Sequence, residues 1–183
     1  MKRKVCFILV FYLLIISGYG EMVSAATKEN SFEKGLFEIG YKPVEEAIDD
    51  FEKHYKRKLQ LPFKIPPVTF THTFGRFSDL DGDMNDTFQI MFINEKSPEN
   101  HYKIDVRPTK YRISINNKDK IKTYELNNGK MAYYTETRVS NLLIFEKGNW
   151  QYMIGIDKRI SDKITAESLV NIANSLQYTI TEN

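Results

Sequence analysis

The chain has 183 residues, 26 of them basic and 24 acidic, with 13% aromatic residues and a single cysteine. This length builds one domain with a core of its own. A formal charge of +2 excludes the strongly basic field of a nucleic-acid binder, and the lone Cys6 excludes an internal disulfide or a Cys-rich zinc site.

The first stretch reads as an address. Lys2, Arg3 and Lys4 form a basic head, residues 5–16 an apolar run, and Val23, Ser24 and Ala25 a small-residue cleavage site. That is the pattern of a signal peptide over residues 1–25. The run falls short of the roughly 20 apolar residues of a membrane span, although a signal anchor is the alternative. Cleavage removes Cys6, takes three of the 26 basic and one of the 24 acidic residues, and leaves 23 of each. The expected mature chain is neutral, free of cysteine and without a transmembrane segment. It is secreted, or held at the extracytoplasmic face of the cell envelope.

Residues 26–40 read as a linker and 41–183 as a single domain. Behind Pro43, the residues Val44, Ala47, Ile48, Phe51 and Tyr55 recur at helical spacing. Glu45, Glu46, Asp49 and Asp50 lie toward the front, and Lys53, Lys56, Arg57 and Lys58 toward the back, which suits the helix dipole. A helix over Val44–Leu59 follows, stopped by Pro62, Pro66 and Pro67. Thr- and aromatic-rich segments then predict strands near Val68–Phe74, Thr87–Ile93, Tyr102–Arg107, Tyr111–Ile115 and Lys120–Leu126. Three more follow at Met131–Glu136, Val139–Phe145 and Trp150–Ile156. The last shows a two-residue alternation of Trp150, Tyr152, Ile154 and Ile156 against Gln151, Met153 and Gly155. Leu169, Ile172, Ala173 and Leu176 mark a closing helix over Ala166–Leu176. The fold class is α+β: an antiparallel meander of about six to eight strands, with an N-terminal and a C-terminal helix packed on it. Tyr152, Ile154, Leu169, Ile172 and Leu176 are expected in the core.

The segments Leu61-Pro-Phe-Lys-Ile-Pro66, Asn128-Gly-Lys-Met-Ala-Tyr-Tyr134, Asn141-Leu-Leu-Ile-Phe145, Asn149-Trp-Gln-Tyr152 and Leu169-Val-Asn-Ile-Ala-Asn-Ser-Leu176 carry a resemblance. Over about Tyr41 to Leu176 the chain resembles a domain-of-unknown-function family. Its members are exported or membrane-tethered extracytoplasmic proteins of spore-forming Gram-positive bacteria, some linked to anti-sigma-factor-like segments. The resemblance implies an extracytoplasmic domain and supplies no catalytic residues. Unlike the tethered members, this chain carries no second hydrophobic segment.

Two clusters bear on chemistry. In Ser78-Asp-Leu-Asp-Gly-Asp-Met-Asn-Asp86 the carboxylates of Asp79, Asp81 and Asp83 alternate, an oxygen density that suits a weak calcium site. Gly82 is misplaced for an EF-hand and the closing Glu is missing, so the competing reading is an acidic turn around Asp81-Gly82. No other cofactor is indicated. The second cluster is basic: Lys103, Arg107, Lys110, Arg112, Lys118, Lys120 and Lys122, with Tyr102 and Tyr111 between them. It reads as an anion-binding strip or as a charged sheet edge that discourages aggregation. His54, His72 and His101 are scattered, without zinc-ligand spacing. No nucleophile elbow, phosphate loop or dinucleotide fingerprint occurs. The residues therefore point away from catalysis and toward an exported binding or interaction module. Its expected partner is an envelope protein, a lipid or an anionic cell-wall polymer, not nucleic acid. The rival class is an extracellular hydrolase with dispersed catalytic residues.

Overall fold

The computed structural model describes residues 32–79, 86–116 and 120–176. Residues 32–38 form a short helix closed by a turn, in which the Gly40 and Tyr41 amides donate to the Phe37 and Leu36 carbonyls. The body from Lys42 onward is organised by one antiparallel sheet.

Its strands are β1 (His72–Ser78), β2 (Thr87–Ile93), β3 (His101–Pro108), β4 (Lys122–Glu125), β5 (Met131–Glu136), β6 (Ser140–Lys147) and β7 (Trp150–Asp157). The spatial order is β1-β2-β3-β7-β6-β5-β4. Two meanders, β1 to β3 and β4 to β7, are therefore joined along a long-range β3–β7 seam. Their registers place Tyr102 against Ile156, Ile104 against Ile154 and Val106 against Tyr152. These six side chains are buried on one face, as the two-residue alternation requires. The β6–β7 hairpin turns through Gly148 and Asn149, with Gly148 at a φ of 57° that favours glycine.

Helix α1 (Val44–Tyr55) packs on β1 and β2, and α2 (Ala166–Ala173) on β6 and β7. Both cover the same face, so their apolar residues and the sheet's share one core. Phe51, fully buried, meets Phe77, Phe88, Tyr55 and Trp150 at ring separations of 4.8–5.7 Å. Tyr152, Ile154, Leu169, Ile172 and Leu176 are all buried, as the spacing predicts. Among the described residues no helix is long and apolar enough to cross a membrane.

Several expected boundaries change; the closing helix ends at Ala173 rather than Leu176, and the strand expected at Lys120–Leu126 spans Lys122–Glu125. Helix α1 stops at Tyr55 rather than Leu59, because Lys56 turns into the left-handed region at φ 51°. Glu52 then folds the chain back, accepting from the Leu59 amide and the Lys58 ammonium. The first strand begins at His72, since residues 68–70 follow the Pro66-Pro67 pair outside the strand, and Thr71 leads in by donating its amide to the Ile93 carbonyl. Tyr111–Ile115 is not a strand. Both edges of β3 are already taken by β2 and β7, so the chain leaves through a 3-10 turn (Thr109–Tyr111) and crosses to the far edge.

Candidate functional site

The helices leave the other face of the sheet uncovered by either of them. Along β3 and β7 this face carries His101, Lys103, Asp105 and Arg107 beside Gln151, Met153, Gly155 and Asp157. A polar row crosses its first three strands: Arg76 donates to Gln89, and Gln89 Nε2 donates to Asp105 Oδ1 over 2.5 Å. The one buried charge of that row, Asp105, is thus answered by its neighbour, as burial demands.

The crossover after β3 runs along this face and is held by one side chain. Gln151 accepts from the Ile113 amide at 2.9 Å and donates to the Ile113 carbonyl at 3.0 Å. Its amide thus completes a two-bond bridge like that of a neighbouring strand. Between the pinned crossover and strands β5 and β6 lies a cleft of about 480 Å³. Ile113, Ile115, Met131, Tyr133 and Ile144 form its apolar part, while Arg112, Lys120 and Lys130 oppose Glu146. Lys120 Nζ sits 4.0 Å from the Tyr133 ring centre, a cation–π contact that holds the charge at the cleft. Ile113 and Met131 are each more than 40% exposed, so apolar surface is open to a ligand. The volume is in the ordinary range for a small-molecule site.

The basic strip is thereby divided. Arg112 and Lys120 line the cleft, whereas Lys103 and Arg107 stand on β3, with Lys103 in a second cleft beside His101, Asp105 and Met153. Lys110 lies over the Tyr111 ring. Lys122 pairs with Glu167 of α2 at 3.1 Å, and Lys118 is outside the described residues. Lys130, absent from the predicted strip, joins the cleft from the β4–β5 turn. A basic residue beside an Asn-Gly turn gives no sign of which face it will serve.

The acidic loop connects β1 to β2. Asp81 and Asp83 lie outside the described residues; Asp79 and Asp86 stand at the two ends of the loop. Both meet His54 of α1: Nδ1 is 3.4 Å from Asp79 Oδ2, and Nε2 is 3.2 Å from Asp86 Oδ2. Tyr55 donates its hydroxyl to the same Asp86 oxygen at 3.1 Å. Burial, reinforced by the Asp86 carboxylate, raises the Tyr55 pKa and keeps that proton in place. Sequence spacing did not reveal this cluster, because His54 reaches Asp86 across 32 residues of chain. The only local sign was that an Asp stands at each end of one strand connection.

The other two histidines do not join it. His72 stacks on Phe74, with rings 5.9 Å apart. His101 Nε2 is buried with no hydrogen-bond partner among the described residues, and burial, then the Lys103 charge, lowers its pKa.

Compared with known proteins, the chain matches no family model, no curated protein and no solved structure.

Proposed function

We propose that this protein is a non-catalytic binding module of the cell envelope, exported by its first 25 residues, as in the family it resembles. Its ligand is an anionic amphiphile held in the cleft between the crossover and strands β5 and β6. The observation that carries this reading is the cleft itself, in which three cations face one carboxylate at the edge of an apolar floor. A charged headgroup would sit by Arg112, Lys120 and Lys130, and an apolar body would cover Ile113, Met131 and Ile144. Such a division of a few placed polar groups over an apolar lining is what small-ligand sites share.

A cell-wall polymer fits less well. It needs a continuous track of cations, and here Lys122 is turned to Glu167 and Lys110 to Tyr111. A nucleophile activated by a histidine, one common route to hydrolysis, does not emerge at His54, whose two ring nitrogens both face carboxylates.

Native mass spectrometry of protein purified without detergent tests the reading. The expected result is a co-purifying anionic lipid-like mass that is lost in the Arg112→Glu, Lys120→Glu double variant. A ligand-free mass under the gentlest conditions, or turnover in a broad hydrolase screen, overturns it.

A further inference from the structure

A second site, independent of the cleft, follows from the cluster at the end of α1. We propose that His54, Asp79 and Asp86 form a binding site for a divalent transition cation of the zinc class. The three side chains come from three places in the chain, and one ligand atom from each lies within 4.8 Å of the others. Zinc bonded at about 2.0–2.2 Å to nitrogen and carboxylate oxygen in a tetrahedron sets its ligands roughly 3.3 Å apart. Each contact around His54, 3.2 and 3.4 Å, is of that length by itself, while three atoms able to share one cation spread over as much as 4.8 Å.

Those contacts use different ring nitrogens, so a cation takes one nitrogen and one carboxylate must swing toward it. Asp79 is able to do so, because its side chain is 59% exposed. Asp86 is the fixed member: it is 7% exposed and is oriented by the Tyr55 hydroxyl, the kind of outer partner that sets a metal-ligating carboxylate. His54 is the one basic side chain within ion-pair distance of either carboxylate among the described residues. A neutral imidazole has one N–H and cannot donate to both. A dication neutralises both carboxylates and leaves the imidazole neutral, which is its ligating form.

The ligand set differs from the calcium loop expected at Asp79, Asp81 and Asp83. Calcium takes six to eight oxygens, whereas one imidazole nitrogen with two carboxylates suits zinc and its neighbours. Three protein ligands leave a position open to water.

Calorimetric titration of tag-free protein with zinc chloride, repeated with calcium chloride, tests the site. One zinc per chain is expected, with His54→Gln and Asp79→Asn each weakening it at least tenfold. Tyr55→Phe should weaken it less than either ligand variant, at the lower end of the roughly 10- to 100-fold span of second-shell losses. Asp79→Asn guards against misfolding, since its exposed side chain leaves the core alone; circular dichroism checks each variant. Absence of saturable zinc binding overturns the proposal. So does undiminished affinity in both His54→Gln and Asp79→Asn, or calcium binding that outcompetes zinc.

Discussion

Glu167 shows how much one exposed side chain does in this fold. It sits in the first turn of α2. It accepts from its own backbone amide, from Lys122, from Tyr124 and from Thr165, which together hold its carboxyl at about 2 rather than 4.5. A carboxyl lowered on folding stabilises the native state fully above its unfolded pKa, and that contribution fades as pH falls toward the folded value. The side chain is largely solvent-facing, so the effect is modest. Glu167→Gln should therefore shift the urea midpoint downward at about pH 6 and progressively less toward pH 2. A difference that stays constant across that range contradicts the assignment. Neither this contact nor His54–Asp86 was legible beforehand. Lys122 and Glu167 stand 45 residues apart, and only the tertiary fold, which brings the first turn of α2 within reach of β4, joins them. Asp79, by contrast, was singled out from its loop alone; its ion-pair partner is His54, while Asp81 and Asp83 lie outside the described residues.

At the scale of elements, periodicity carried most of the information. The alternation in β7 and the i, i+3, i+4, i+7 spacing in α2 name the residues that are buried, because burial on one face is what creates those patterns. The failure at Tyr111–Ile115 has the same physical origin. That segment has strand-like composition, but its ladder partner is the side chain of Gln151, which no propensity encodes. Packing of α1 on β1 rests on a second feature composition does not show. A Cβ at Gly75 would lie 2.6 Å from Ala47 Cβ and 2.9 Å from Val44 Cα. Two small residues thus let helix and strand backbones approach. Gly75→Ala should cost about 1–3 kcal/mol, the usual penalty of overpacking, measured by chemical denaturation. A neutral or stabilising effect would mean that α1 does not sit so close to β1.

For the whole molecule, the decisive fact is that both helices cover one face while the chain's own crossover partly covers the other. The α+β class and an antiparallel sheet of about six to eight strands were readable from turn residues and alternation, although one expected strand, Tyr111–Ile115, is part of a crossover. The β3–β7 seam was not, because nothing local says that β3 pairs with a strand more than forty residues later. That seam forces the crossover, the crossover makes the cleft, and the cleft collects Arg112, Lys120 and Lys130. A strip that looked continuous in sequence is thereby parted, Arg112 and Lys120 lining the cleft and Lys103, Arg107, Lys110 and Lys122 standing outside it.

The cleft's role is tested most directly by titrating monomeric dodecyl phosphate into the chain from residue 26 onward and into its Arg112→Glu, Lys120→Glu, Lys130→Glu variant, with polyglycerol phosphate as a comparison. Saturable binding at one site, at least tenfold weaker in the variant and not displaced by the polymer, is the predicted result. Equal affinity in both proteins, or binding of the polymer alone, would contradict the assignment of this cleft as the site of an anionic amphiphile.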